Sequence, residues 1–260
     1  MTSTDIDAFF RNEGICVFTE VNIEDIPAPD RDYISEFLPG AGSVFIFAKE
    51  IPSPVYRLSP KEKTREMLVI AESLDKTAKK LSALLNAEGI LTRPVPLYLP
   101  VTITKTNIRG LVRLKQTAEA GGLGVIGKSS LLITPQYGPR VFLSGVVTTR
   151  HIQKSGNVMN SLPVVKNPDE NLKTCAFAAP LCTGCGLCIK NCPGEVFGSS
   201  GVDAFKCLTI RPWVPPVIIP IVKWILKRQM LLGFAAPFAP WFARFATMPC
   251  SKCVTGCQRF

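Results

Sequence analysis

Histidine is nearly absent from this sequence. The chain has 260 residues and a single histidine, His151. Zinc sites often combine histidine with two separated Cys-x2-Cys pairs, so the scarcity of histidine argues against zinc as the metal of any cysteine site. A lone histidine at the end of a strand usually lies at the surface or forms a hydrogen bond, and metal binding or proton transfer is the alternative role.

The N-terminus lacks the features of a secretory signal. The first residues, MTSTDIDAFFRNEG, have neither a basic flank nor an apolar run. Disulfides require an oxidising compartment. We therefore expect a cytoplasmic protein whose cysteines are not joined in disulfides.

Acidic residues are missing from residue 205 onward, although this stretch contains eight lysines and arginines. All three tryptophans lie in its apolar part, at about 210–249. The apolar runs there are too short to cross a bilayer, which takes about 20 residues. Tryptophan and basic residues around short apolar helices are typical of a segment in a membrane interface. The same residues would equally suit an insertion that covers a metal centre or forms a dimer surface, and both interpretations stay open.

The whole chain is basic, with a formal net charge of +10. This charge favours an acidic partner: nucleic acid, anionic lipid or an acidic electron-carrier protein. Charge alone does not choose among these classes.

Cysteines are concentrated in the rear of the chain, where eight of the ten follow residue 180. The run Cys182–Pro193 has the spacing C-x2-C-x2-C-x3-C-P, with which thiolates bind 4Fe–4S clusters. The first three cysteines share one cluster, and the fourth usually binds a second. We assign two sets of four ligands. The first set is Cys182, Cys185, Cys188 and Cys257, and the second set is Cys192, Cys207, Cys250 and Cys253.

The front of the chain has the patterns of a mixed helical and sheet domain. Apolar runs predict buried strands at 43–48 and 141–149, and a shorter strand is predicted at 15–18. A period of three to four residues predicts a long helix over 60–87. We interpret that helix as a packing element without chemistry of its own. We expect an α+β protein, with an α/β domain over residues 1–170 and an iron–sulfur domain over 171–260.

A glycine loop, Gly122-Leu-Gly-Val-Ile-Gly-Lys-Ser129, matches both the dinucleotide fingerprint and the phosphate loop of nucleoside triphosphatases. Both motifs require a strand before the loop and a helix after it. Here residues 111–120 predict a helix before the loop, and 131–134 predict a strand after it. The context therefore argues against a triphosphatase and favours a turn where the backbone approaches a flat ligand or another element.

These residues resemble the epoxyqueuosine reductase and reductive-dehalogenase-like family. The glycine loop, the following Leu131–Gly138, the cysteine run and the final cysteines carry the resemblance, which covers roughly residues 38–210 and the last cysteine set. It implies a nitroreductase-like front domain that binds a corrinoid (cobalamin), and a ferredoxin-like rear domain with two 4Fe–4S clusters that supply electrons. By this resemblance the residues bordering the corrinoid are Gly122, Gly124, Gly127 and Lys128.

The chain departs from this family in two ways. The tRNA-modifying members have an acidic proton donor before the glycine loop, whereas residues 106–113 contain no Asp or Glu. Those members also commonly continue into a helical-repeat tail, and the sequence stops soon after Cys257. We therefore do not expect tRNA as a partner, and we take Tyr137 and His151 as the candidate proton donors.

Two functional hypotheses follow. In the first, the chain is a cytoplasmic reductase that takes electrons from a ferredoxin-type or flavodoxin-type donor and passes them through the clusters and a corrinoid to a substrate. In the second, it is an electron-transfer protein without a corrinoid, docked on a membrane surface.

Overall fold

The structure is a computed structural model that describes residues 3–97, 101–103, 108–152, 181–198, 201–203, 206–207 and 247–260. The helices are α1 Ser3–Asn12, α2 Asp30–Phe37, α3 Pro60–Ala87, α4 Leu114–Ala120, α5 Leu187–Lys190 and α6 Lys252–Thr255. The strands are β1 Val17–Asn22, β2 Ser43–Glu50, β3 Thr92–Pro94, β4 Val101–Ile103, β5 Ile108–Gly110, β6 Val125–Ile126, β7 Leu132–Ile133, β8 Val141–Thr148, β9 Phe197–Gly198 and β10 Gly201–Val202. The expected mixture of helix and sheet is confirmed.

The centre of the front part is an antiparallel sheet of four strands in the order β1-β2-β8-β3. β2 and β8 pair along their whole lengths, from Ser43 opposite Thr148 to Glu50 opposite Val141. The two longest apolar runs of the front sequence therefore form the middle of the sheet.

Strand β2 is buried on both faces of this sheet. Phe45 and Phe47 pack with α1 and α3 on one face, in one apolar cluster. Val44, Ile46 and Ala48 pack on the other face, in the cluster that includes residues of α2 and α4. Alternate side chains of a strand point to opposite faces, so a strand covered on both sides must be apolar at almost every position. This explains the continuous apolar run in the sequence.

Helix α3 has the bounds that the sequence predicts. Its start is fixed by a capping box, in which the Ser59 hydroxyl accepts from the Glu62 N–H and the Glu62 carboxylate accepts from the Ser59 N–H. Pro60 occupies the first turn, where its missing N–H costs nothing. Gly89 follows the end with φ +79°, a left-handed conformation suited to glycine.

Two predicted elements differ from the structure at their ends. We predicted a strand at 15–18, but β1 begins at Val17, because the Ile15 N–H still bonds the Phe10 carbonyl at the end of α1. β1 also continues through Glu20, whose carboxylate accepts from the Ser43 hydroxyl at 2.7 Å. We predicted a helix at 111–120, but α4 begins at Leu114, and residues up to Gly110 form β5.

Several predictions fall on parts of the chain that are not described. The polar residues 153–173, which the sequence predicts to connect the two domains, lie outside the described residues. So do Cys175, which has no ligand spacing and is predicted to be a buried apolar residue, and residues 210–246 of the tryptophan-rich segment. Among the helices that are described, none is both long enough and apolar enough to span a membrane.

The α3 core should dominate the stability of the front part. Leu81 is fully buried between α3 and the sheet, whereas Leu84 on the same helix is 46% exposed. We expect Leu81→Ala to lower the free energy of unfolding by about 2–5 kcal/mol, because it leaves a cavity. Leu84→Ala should change it by less than about 0.5 kcal/mol. Urea denaturation of both variants measures the difference, and equal losses would contradict the packing described for α3.

Candidate metal centre

The glycine loop leads from a helix into a hairpin. α4 ends at Ala120, Gly122 has φ +73°, and β6 then pairs with β7, with Val125 opposite Ile133. Within residues 108–152, no helix follows the loop. The predicted order, a helix before the loop and a strand after it, is confirmed, and it is the reverse of the order that phosphate binding requires.

The glycines of this loop allow close contacts with the protein itself. A Cβ on Gly124 would lie 2.3 Å from the Ile133 carbonyl oxygen. A Cβ on Gly127 would lie 2.6 Å from Ile133 Cδ1 and 3.4 Å from Cys182 Sγ. The loop is thus pressed between β7 and the first cysteine of the run. Its outward side chains are Val125 and Lys128, both of which are exposed.

Four cysteines line one cavity beside this loop, namely Cys182, Cys185, Cys188 and Cys257. Lys128, Ser129 and Ile133 form the opposite wall. The chain curls around the cavity because Gly184 and Gly186 have φ +72° and +75°, conformations that other residues rarely adopt. No disulfide joins any candidate ligand in the described part of the chain.

The donor set fits an iron–sulfur cluster. A 4Fe–4S cube takes one thiolate at each of four corners, so its ligands surround a volume. Four cysteines around a cavity have this arrangement. Among the described residues, no three His, Cys, Asp or Glu side chains meet at a point suited to a single metal ion.

Burial raises the pKa of the Cys188 thiol. The backbone N–H groups of Ile189 and Cys188 lower that pKa in part, and the charges of Cys182 and Cys185 raise it further. These thiols therefore interact electrostatically, and binding of iron would replace their protons.

In the second candidate ligand set, the Cys253 thiol interacts with the other three cysteines. Burial, followed by the negative charges of Cys207, Cys250 and Cys192, raises the pKa of the Cys253 thiol to about 11. Cys192 follows α5, Cys253 lies in α6, and Cys250 precedes it. Three separate stretches of the chain thus bring their thiols near each other.

The final residues are held against the front part of the chain. A Cβ on Gly138 would lie 1.9 Å from the Arg259 carbonyl oxygen, so the turn before β8 touches the tail directly. Phe260 packs edge-on against Tyr56, with ring centroids 5.4 Å apart. The Arg140 guanidinium lies 5.7 Å from the centre of the same Phe260 ring. These contacts fix the segment that carries Cys257.

A lysine of α4 supports the other end of the glycine loop. The Lys115 ammonium donates a hydrogen bond to the Ser130 carbonyl. Burial and the nearby Arg113 lower the pKa of Lys115, whereas the charge of Cys253 raises it. The loop is therefore braced from α4, on the side that faces the second cysteine set.

The two candidate proton donors lie at opposite ends of β8. Tyr137 precedes this strand and His151 follows it, and an eight-residue strand spans roughly 25 Å. Tyr137 is on the side of the tail and is half-buried, while His151 is exposed. Burial, Cys16 and Glu50 raise the pKa of the Tyr137 phenol, and Arg140 opposes them. The structure does not bring the two donors together.

Sequence analysis did not single out Tyr56, Lys115, Arg140 or Phe260. None of them belongs to a spacing motif, and each reaches the cysteine region only through the fold. The sequence around each of them, such as Arg113-Leu-Lys-Gln-Thr117 at Lys115, has no pattern that distinguishes it.

No family model matches the chain. Two curated proteins do, and both are named epoxyqueuosine reductase. The protein from Gloeobacter violaceus is 29% identical over 185 residues, which is 69% of this chain and 49% of the relative. The protein from Listeria monocytogenes is 33% identical over 93 residues, 35% of this chain and 19% of the relative. The chain thus spans about half the length of the first relative, and less of the second.

Solved structures show the same likeness in fold. Epoxyqueuosine reductase from Streptococcus thermophilus matches 98% of this chain and 65% of its own, with a TM-score of 0.54 and 15% identity. A selenomethionine-labelled epoxyqueuosine reductase matches 98% of this chain and 64% of its own, with a TM-score of 0.55 and 16% identity.

The expectation that excluded tRNA is wrong. The relatives are epoxyqueuosine reductases by name. One solved epoxyqueuosine reductase holds an epoxyqueuosine-modified stem loop of tRNA-Tyr; its TM-score is 0.46 at 16% identity, over 79% of this chain and 56% of its own. The expectation rested on the absence of Asp and Glu from residues 106–113 and on where the sequence stops. Neither feature decides whether a protein similar to these relatives binds tRNA.

The contact between Gly138 and Arg259 is open to a direct test. Gly138→Ala should displace the tail and expose the Cys257 thiol, since the added methyl meets a backbone oxygen. Gly14→Ala is the matched control, because Gly14 also has positive φ (+68°) but open space around it. Both changes cost about 1 kcal/mol of backbone strain. Alkylation of Cys257 in the metal-free protein, followed by mass spectrometry, should be faster only in Gly138→Ala; equal rates in both variants would contradict the contact.

Two comparisons support the resemblance inferred from the glycine loop and the cysteine spacing. One is in sequence, to curated proteins, and the other is in fold, to solved structures. Both lead to proteins named epoxyqueuosine reductase, so the predicted resemblance is confirmed: this chain is similar to epoxyqueuosine reductases in part of its sequence and in its fold.

Proposed function

We propose that the chain is an iron–sulfur reductase in which two 4Fe–4S clusters pass single electrons to a bound corrinoid that reduces a substrate. The observation that carries this proposal is the shared wall between the glycine loop and the first cysteine set. Gly127 approaches Cys182 so closely that a Cβ would be 3.4 Å from its sulfur. A cofactor beside the loop would therefore be close to the cluster that feeds it.

The two ligand sets remain those of the sequence analysis. Cys182, Cys185, Cys188 and Cys257 would hold the first cluster, and their common cavity supports this grouping. Cys192, Cys207, Cys250 and Cys253 would hold the second, and the mutual charge effects on Cys253 support it. The rear domain, 171–260, would be ferredoxin-like, and the front domain, 1–170, nitroreductase-like.

The corrinoid would lie along the glycine loop, bordered by Gly122, Gly124, Gly127 and Lys128. When bound, a corrinoid supplies a cobalt that accepts single electrons and reduces the substrate. The exposed side of the loop offers Val125 and the Lys128 ammonium. The opposite side is closed by Ile133, so the loop has a rigid backing.

Of the two proposed proton donors, Tyr137 is better situated than His151. It sits in the turn whose Gly138 touches the tail that carries Cys257. Burial raises the pKa of the Tyr137 phenol, which already carries its proton at neutral pH at the ordinary pKa of tyrosine. His151 lies beyond the far end of β8.

The names of the relatives suggest the first substrate to test, which is epoxyqueuosine in tRNA. The net charge of +10 suits a nucleic-acid substrate. We further propose a cytoplasmic protein that receives electrons from a ferredoxin-type or flavodoxin-type donor.

A second candidate is an electron-transfer protein without a corrinoid. One observation favours it: contacts within the protein already account for Gly124 and Gly127, with no external ring required. The two candidates share the clusters and differ in the retained cofactor.

The ligand grouping predicts how iron is lost. After anaerobic reconstitution with iron and sulfide, the unaltered protein should hold about eight irons. Cys182→Ser and Cys257→Ser should abolish the same electron paramagnetic resonance (EPR) signal, and Cys253→Ser should abolish the other. Cys16→Ser is the control and should keep both signals. Loss of different signals in Cys182→Ser and Cys257→Ser would contradict the grouping.

Cofactor retention separates the two candidate functions. Reconstitution with iron, sulfide and cobalamin, followed by gel filtration, should leave about one cobalamin per chain, and Gly127→Val should lose it while Val69→Ala on the exposed face of α3 keeps it. The loaded protein is then given reductant and epoxyqueuosine-containing tRNA, and the digested nucleosides are identified by mass spectrometry. A protein with eight irons and no cobalamin would leave only the electron-transfer role.

A further inference from the structure

Lys63 is buried, which is unusual for a lysine. It lies in the first turn of α3, and only 4% of its surface is exposed. Lysine is almost never buried without a partner, because an ammonium loses hydration that the protein must replace. In the part of the chain that the structure describes, Lys63 forms no ion pair with a carboxylate.

The partner of Lys63 lies in the cysteine region. Its Nζ donates a hydrogen bond of 3.0 Å to the hydroxyl of Ser251, which is 188 residues away in sequence. Ser251 stands between Cys250 and Cys253, two proposed ligands of the second cluster. The amine therefore reaches into the loop that presents these thiolates.

The residue after Lys63 fixes the same segment from the other side of Cys250. The Thr64 hydroxyl accepts a 2.7 Å hydrogen bond from the Met248 N–H. The Met248 side chain packs on an apolar cluster formed by Ile51, Val55 and Met67. The start of α3 thus holds the backbone both before and after Cys250.

The charge of Lys63 also lies near the second set of cysteines. Burial lowers the pKa of Lys63, and the negative charge of Cys250 raises it. The second such amine is Lys115, on which Cys253 acts in the same sense. A cation in a low-dielectric setting interacts strongly with a nearby anionic group, and four thiolates make an iron–sulfur cluster anionic.

On the basis of the proposed two-cluster reductase, we propose that Lys63 positions the second cluster through Ser251 and raises its reduction potential. Reduction adds one negative charge to a cluster. A fixed ammonium beside it stabilises the reduced form more than the oxidised form, and hydrogen bonds and charge around the sulfurs are known determinants of cluster potentials. The front domain would then tune a cluster whose ligands all belong to the rear domain.

The test is an anaerobic redox titration of the reconstituted protein, followed by EPR. The Cys182→Ser and Cys253→Ser variants identify which signal belongs to which ligand set. Lys63→Met keeps the length and apolar stem of the side chain but removes the charge, and Lys63→Arg keeps the charge. Lys61→Met, on the exposed side of the same turn, is the matched control.

We expect Lys63→Met to lower the midpoint potential of the second cluster alone. The expected change is about tenfold in the equilibrium constant for reduction, which equals 59 mV for one electron. Lys63→Arg and Lys61→Met should leave both midpoints in place. Equal shifts of both clusters, or no shift with both signals present, would overturn the role.

Ser251→Ala separates anchoring from charge. It removes the hydrogen bond and leaves the ammonium, so iron should be lost faster to a chelator while the midpoint moves less than in Lys63→Met. It also provides the measurement if Lys63→Met fails to assemble the second cluster. If the midpoint potential falls by the full ~59 mV in Ser251→Ala, the charge role is overturned. Absence of two cluster signals in the unaltered protein would overturn the proposed function itself, which is a different result.

Discussion

The structure depends on the contacts that hold residues 247–260 against α3 and the front part of the chain. The candidate ligands come from three stretches of the chain: the run at 182–192, the single Cys207, and the final set at 250–257. Thiolates so far apart in sequence cannot surround a cluster unless something other than the cluster brings them near. Hydrogen bonds to the start of α3, the close contact at Gly138 and the edge-on packing of Phe260 against Tyr56 provide this. The front part is therefore a structural partner of the metal centre.

Much of the fold could be predicted from local pattern. The helix at 60–87 and the strands at 43 and 141 carry strong periodic or continuous apolar signals, because each is covered by other elements along its length. The strand at 17–22 was predicted only in part, since Glu20 faces Ser43 and Arg150 and so breaks the apolar pattern. Short elements such as β6 and β7 have too few residues to show a period. Their pairing depends on the glycine turn between α4 and the cysteines.

Part of the candidate site could also be predicted from the sequence, and part could not. Cysteine spacing is a local property, and it grouped Cys182, Cys185 and Cys188. Cys257 was added to them from the separate cysteine set downstream, and all four line one cavity in the structure. The side chains that support them could not be found by spacing, because they come from elsewhere in the fold. Lys63 was hidden in a helix that the sequence assigned to packing alone. Its phase was the available signal: it lies four residues before Met67, on the buried stripe, where a lysine is out of place.

The cavity shared by Cys182 and Cys257 also has a consequence for biosynthesis. The ribosome releases the chain from its N-terminus, at about 5–20 residues per second. The sheet and α3 are complete before the first cysteine of the run emerges, and no proposed ligand set is complete until residues 250–257 have followed. The scaffold that receives the tail can therefore form before any cluster can be fully ligated. Delivery of iron and sulfide in the cell would act on a chain whose front part can already be folded, and a chain whose translation stalled before Cys250 would expose two partial sets of reactive thiols.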